Sequence, residues 1–231
     1  MTVGSLFAGI GGFDLGFERA GYQASWQVEI NPFCLKVLEK HWPQALRLTD
    51  VRTVGGELDR VDVICGGFPC QDISPAGSRV GIDGARSGLW REFARLIGEL
   101  RPRYVVVENS ADLLVRGMGR VVGDLAALGY DAEWDVVSAC ALGAPHTRER
   151  VFVVAYPTGE RQGQLWRLWS EEERESQRHL YWPTNEPPCD RVVDGLPHRS
   201  HRVTAVGNAI VPHIAQWIAE RITEAEVRQE A

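Results

Sequence analysis

A chain of 231 residues with 44% hydrophobic and 24% charged side chains can build one sizeable α/β domain, with little left over for a second. No apolar run approaches the ~20 residues of a transmembrane helix, and no basic stretch precedes an apolar core at the N-terminus, so the expected compartment is the cytoplasm. A net charge of −6 runs against a protein given over to phosphate contacts, and five cysteines without a CxxC pair argue against a disulfide framework or a metal site.

The first predicted element is a short strand, Val3 to Phe7, followed by Ala8-Gly9-Ile10-Gly11-Gly12 and an amphipathic pattern through Phe13, Leu15, Gly16, Phe17 and Ala20. Strand, glycine turn and helix is the arrangement that holds a polar or anionic ligand at a helix N-terminus, although a plain βα turn uses the same residues. The next strand, Ala24 to Ile30, ends in Glu29, about 20 residues after the glycines, where a ribose diol is bound in dinucleotide folds. A third strand near Ala45 to Leu48 finishes at Thr49-Asp50-Val51. Asp50 is a turn cap or an acceptor for an adenine amino group, with Ile30 and Val51 as apolar walls for the ring. Three strand ends offering glycine, glutamate and aspartate point to an adenosine-containing cofactor. No Walker lysine motif accompanies them.

Val61 to Cys65 reads as a buried parallel strand that runs into Gly66-Gly67-Phe68-Pro69-Cys70-Gln71-Asp72-Ile73-Ser74. Open α/β sheets place their chemistry just past such a strand end. Pro69 stiffens the turn and presents Cys70 as a nucleophile would be mounted; the plain alternative is a buried cysteine in a turn. A long polar loop, 71–87, reads as a lid. Helix Leu89 to Leu100 and strand Tyr104 to Val107 follow, the strand ending in Glu108-Asn109-Ser110, which puts Glu108 at the sheet edge as a candidate functional acid.

A helix from Leu113 to Leu128 leads to a strand near Trp134 to Ser138. In His146-Thr147-Arg148-Glu149-Arg150, period-two spacing puts Arg148 and Arg150 on one face, where they form either an anion-facing pair or a surface ladder. From Tyr156 to Arg199 the pattern dissolves. Leu165 to Arg178 is the one helical candidate there, and the stretch reads as a partly disordered insert. Val203 to Pro212 then opens an amphipathic C-terminal helix through Ile214, Trp217, Ile218 and Ile222.

Taken together, Ser5 to Gly12, Glu29, Asp50, Gly66 to Ser74, Glu108-Asn109, Arg148-Glu149-Arg150 and Gly207-Asn208-Ala209 resemble, in order, the DNA (cytosine-5) methyltransferase family. The resemblance implies a class I S-adenosylmethionine-dependent fold, a mostly parallel Rossmann-like sheet with helices on both faces. It also implies a catalytic and cofactor-binding domain over 1–156, a short target-recognition insert over 157–200, and a C-terminal segment, 201–231, returning to the catalytic domain. By the same resemblance Cys70, Glu108, Arg148 and Arg150 are catalytic. Phe7, Ala8, Gly9, Gly11, Gly12, Glu29, Ile30, Asp50, Val51, Phe68, Pro69, Asn208 and Ala209 border S-adenosylmethionine. Gln71, Ser74, Ser78, Arg79, Arg199 and Arg202 contact double-stranded DNA, and the protein acts as a monomer of the restriction-modification type.

Three features depart from the family pattern. His146 stands where many members have glutamine, Ser110 replaces the usual valine, and the target-recognition stretch is short. The last implies a brief or relaxed recognition sequence, because reading several base edges needs scaffold. Two rival readings remain: an RNA cytosine-5 methyltransferase, disfavoured by Phe68 and by the absence of a Cys-Phe-Thr signature, and a non-catalytic cofactor-binding subunit that needs a partner chain.

Overall fold

The computed structural model describes residues 1–69, 89–142, 144, 148–159 and 209–230. Strand β1 (Thr2–Leu6) passes through the glycine turn into α1 (Gly12–Arg19) and β2 (Gln23–Val28). Helix α2 (Pro32–His41) then leads to the short strand β3 (Leu46–Leu48). The chain crosses back to β4 (Val63–Gly66), and α3 (Trp90–Leu100) precedes β5 (Tyr104–Ser110). Two short helices, α4 (Leu113–Arg116) and α5 (Met118–Ala127), come before β6 (Tyr130–Ser138) and β7 (Glu149–Pro157), and α6 (Pro212–Glu230) follows.

The seven strands lie in the order β3-β2-β1-β4-β5-β7-β6, all parallel except β7. The winding reverses between β1 and β4, so their carboxyl ends flank the crevice where ligands settle in such sheets. One face is covered by α3, α4 and α5, the other by α1, α2 and α6. Helix α3 shows why the sequence signal was clear: Trp90, Phe93, Leu96, Ile97 and Leu100 recur at helical spacing and are all buried. Each contributes about 1.5–3 kcal/mol of burial.

Helix α6 packs on α1 through small residues. A β-carbon on Gly16 would stand 2.5 Å from both the Ala215 Cβ and the Pro212 carbonyl oxygen, and one on Gly12 would stand 2.6 Å from the Ile210 carbonyl oxygen. Farther along, Tyr104 donates to Glu226 Oε1 at 2.7 Å, Arg103 pairs with the same carboxylate, and Tyr22 donates to the Ala219 carbonyl at 3.1 Å. The C-terminal helix is thereby held to the start of β5 and to the turn between α1 and β2.

Several expectations need correction. Helix α2 was not read from the sequence, although Asn31 caps it by accepting from Phe33 N at 2.9 Å and Pro32 fills its first turn. The expected helix 113–128 is two helices, parted where Gly117 leaves helical conformation at φ −175°. Strand β5 does not stop at Val107. The β4 pairing ends at Gly66 opposite Val107, but β7 continues the ladder through Glu108–Phe152, Asn109–Val151 and Ser110–Arg150. Strand β2 ends at Val28, one residue before Glu29. Cys34 and Cys65 are buried free thiols and Cys140 is half-buried.

Candidate active site

At the end of β1 the chain turns sharply. Phe7, Gly9 and Gly11 have φ of 53°, 57° and 87°, and Gly9 has open space where a β-carbon would stand. The turn is pinned to β2 by Ala8 N donating to the Val28 carbonyl at 3.1 Å, and by Gly9 N donating to Glu29 Oε2 at 2.7 Å. Glu29 Oε1 accepts from Asn31 N, also at 2.7 Å. Both carboxylate oxygens are thus aimed by backbone N–H groups, and their remaining lone pairs can accept from hydroxyls. Beside it, Ile30 is 65% exposed, an apolar side chain open to solvent just past the end of β2.

Asp50 follows β3 and forms a two-toothed ion pair with Arg52, at 2.7 Å from Nη2 and 2.9 Å from Nε. Those hydrogen bonds lower its pKa to about 2, so it stays an acceptor across the working range. The turn 50–54 is anchored from α3: Arg95 Nη2 donates to the carbonyls of Val51 and Val54 at 3.0 and 2.9 Å. Val51 itself is 4% exposed and belongs to the core, so it supports the turn, whereas Ile30 is exposed. Gly12 likewise faces Ile210 and serves the α1–α6 contact.

On the other flank, Gly67, Phe68 and Pro69 leave β4. Phe68 is buried against Trp90, with ring centroids 5.5 Å apart, and its carbonyl accepts from Asn109 Nδ2 at 3.0 Å. The residues immediately before Cys70 are therefore fixed by both a packed ring and a buried amide. Glu108 reaches over the same turn. A β-carbon on Gly67 would stand 2.6 Å from Glu108 Oε2, and Arg150 Nε sits 3.0 Å from Oε1. Burial raises the pKa of Glu108, opposed by the charges of Arg150 and Arg148. Glu108, Ser110 and Arg150 share one face of the sheet, because Ser110 lies directly opposite Arg150 in the ladder. The Ser110 hydroxyl is buried without a hydrogen-bond partner among the described residues.

The structure thus brings together Phe7, Ala8, Gly9, Gly11, Glu29, Ile30 and Asp50 on the β1–β3 side, and Phe68, Pro69, Glu108, Arg148 and Arg150 on the β4–β7 side. Ala209 lies beside Ile210 at the entry to α6. Cys70, Gln71, Ser74, Ser78, Arg79, His146, Arg199, Arg202 and Asn208 lie outside the described residues, as do the loop 71–87 and the stretch 160–200. Sequence reasoning gave no site role to Gly67, Arg95 or Asn109. The Gly66-Gly67 pair was a legible sign of close approach; the reach of Arg95 across to a separate turn was not.

Residues 1–191 match the family described as C-5 cytosine-specific DNA methylase. The chain is 36% identical over 163 residues to the type II methyltransferase M2.BsuMI of Bacillus subtilis, a match covering 67% of this chain and 42% of that protein. It is 35% identical over 161 residues to M.FnuDI of Fusobacterium nucleatum, covering 68% and 47%. The matched stretch is thus less than half of either relative. Among solved structures, a chain described as a DNA modification methyltransferase encoded within an E. coli prophage superposes with a TM-score of 0.68 at 17% identity, covering 98% of this chain and 99% of that one. That likeness establishes a shared methyltransferase fold. With the family match running from the glycine turn past the arginine strand, the chain belongs to the C-5 cytosine-specific DNA methylase family.

Proposed function

We propose that the protein methylates C5 of cytosine in double-stranded DNA through a covalent intermediate on Cys70, with S-adenosylmethionine as methyl donor. The observation that carries the reading is the buried Glu108 carboxyl, held by Arg150 over the turn that leads into Cys70. The residues present fit the donor. Glu29 and Asp50 offer acceptors at neighbouring strand ends for a ribose diol and an adenine amino group, Ile30 offers an apolar wall, and the Phe7–Gly11 turn allows close approach. When bound, the donor supplies a methyl group made electrophilic by its sulfonium.

C5 of cytosine is a poor nucleophile. The Cys70 thiolate adds to C6, and the electron pair moves through the ring toward N3, leaving an enamine whose C5 can attack. Glu108 in its protonated form donates at N3, and Arg150 holds O2, so that charge developing on the ring meets a donor and a cation already in place. Arg148 adds positive potential that favours both the thiolate and the ring anion. After methylation, solvent takes the C5 proton, the C5–H electrons re-form the C5–C6 double bond as the Cys70 sulfur leaves as thiolate, and N3 returns its proton to Glu108, restoring the aromatic ring. None of this can occur inside a stacked duplex, so the cytosine is flipped out.

The same reading divides the chain into a catalytic domain over 1–156, a recognition insert over 157–200 and a returning segment over 201–231, working as a monomer with a short or relaxed recognition sequence. DNA carrying 5-fluorocytosine tests it, because fluorine at C5 blocks the final elimination. With S-adenosylmethionine present, the expected result is a denaturant-resistant protein–DNA complex that Cys70→Ser abolishes. Absence of that complex with the unaltered protein would contradict the covalent route.

A further inference from the structure

A buried polar cluster under the glycine turn takes no part in the chemistry above. Asp14, in the first turn of α1, is 1% exposed. Its Oδ1 accepts two hydrogen bonds, from Ser5 Oγ of β1 at 2.9 Å and from Gln27 Nε2 of β2 at 2.8 Å. Ser5 and Gln27 are directly paired in the sheet, and Cys65 of β4 is the partner of Ser5 on its other side. Two side-chain oxygens in the cluster, Asp14 Oδ2 and Gln27 Oε1, are buried with no hydrogen-bond partner among the described residues.

Two orphaned acceptors on groups already joined by one hydrogen bond are a specific pattern. A carboxylate has four acceptor sites and no donor, so an ionised Asp14 would leave Oδ2 unserved and could do nothing for Gln27 Oε1. A single proton on Oδ2 would serve both, were it donated to Oε1 while Nε2 continues to donate to Oδ1. The result is an eight-membered acid–amide pair. The uneven bonding of the carboxyl fits that form: Oδ1, with two incoming donors, is the carbonyl oxygen, and Oδ2 is the hydroxyl oxygen.

We propose that Asp14 is a neutral acid paired with the Gln27 amide, and that this pair is a positioning device for the cofactor end of the site. The location supports the second half. Two residues beyond Ser5 the chain enters the turn at Phe7, and two residues beyond Gln27 stands Glu29, which holds Gly9 N. The pair therefore locks α1, β1 and β2 immediately beneath both groups assigned to the cofactor, an assignment that rests on the proposed function.

The surroundings favour the proton. Burial is the largest influence on Asp14 and raises its pKa; Glu18, one turn along α1, adds like charge, and the hydrogen bonds from Gln27 and Ser5 and a backbone hydrogen bond pull the other way. The Cys65 thiol, pushed well up by its own burial, stays neutral beside it. The N-terminus of α1 favours an anion, but a helix end is a weak compensation for a charge taken fully out of water.

Asparagine reproduces the protonated form, with Oδ1 accepting and Nδ2 donating. The test compares the full chain with Asp14→Asn and Asp14→Ala by infrared difference spectroscopy, and measures S-adenosylhomocysteine affinity by calorimetry across pH. The expected results are a neutral carboxylic-acid carbonyl band at pH 7 that Asp14→Asn removes, and an affinity in the unaltered protein that falls at alkaline pH but stays flat in Asp14→Asn. Asp14→Ala, which orphans Ser5 and Gln27, should bind about tenfold more weakly. Lack of the acid band, or an Asp14→Asn variant as impaired as Asp14→Ala, would overturn the proposal. If S-adenosylhomocysteine binds none of the proteins, the cofactor assignment fails, and the spectrum alone decides the state of Asp14.

Discussion

In the proposed reaction Glu108 has to be two things at once, a donor to a ring nitrogen and a neighbour of two arginines. Burial pushes its pKa up and the arginines pull it down, so its protonated fraction falls as pH rises through the raised value. A step that needs the acid form slows over that same interval. Glu108→Gln keeps the size and one donor but cannot release a proton. We expect it to lower kcat by about 10²–10⁴-fold and to flatten the alkaline limb of the rate profile, as single-turnover measurements across pH would show. The site was readable from sequence as far as the residue types and their order: glutamate after a β-branched run, two arginines at period two. Their actual meeting depends on β7 pairing antiparallel with β5, so that Arg150 opposite Ser110 reaches back to Glu108. No local pattern announces such a pairing.

Among the elements, α3 and α1 carry more than their own packing. Arg95 leaves the outer side of α3, stays close to Glu92 and Glu99, and holds the carbonyls of Val51 and Val54. Hydrogen bonds from a charged group contribute about 1.5–3 kcal/mol. Arg95→Ala should therefore weaken S-adenosylhomocysteine binding by about tenfold with kcat nearly unchanged, read by calorimetry and steady-state kinetics. Gly16 makes the opposite point about helix propensity. Alanine there would favour the helix by about 1 kcal/mol, but its β-carbon would meet Ala215 and the Pro212 backbone at 2.5 Å. Overpacking of this kind costs about 1–3 kcal/mol, so Gly16→Ala should lower the denaturation midpoint. Elements with a buried face at one period, such as α3 and β4, were legible from the sequence. Helix α2 was passed over because only Cys34 and Leu38 of its ten residues are buried; its cap, Asn31-Pro32, was the better signal.

At the scale of the molecule, the sheet reversal between β1 and β4 puts the glycine turn with Glu29 and the turn leading into Cys70 on one rim, the two sides that the proposed reaction assigns to cofactor and nucleophile. The order of glycine turn, Glu29, Asp50, Cys70 turn and Glu108 along the chain already implied that layout, because parallel strands all end on the same side. The family resemblance implied a returning C-terminal segment, but no local pattern supplied its seating on Gly12 and Gly16 or the antiparallel return of β7, both of which join distant parts of the chain. The most direct measurement is transfer of labelled methyl from S-adenosylmethionine to plasmid DNA, followed by base-resolution sequencing. The account predicts label at C5 of cytosines within a recognition sequence of one or two base pairs. Label absent from DNA while S-adenosylhomocysteine still binds would contradict the proposed substrate, and methylation confined to a long, strictly required motif would contradict the proposed specificity.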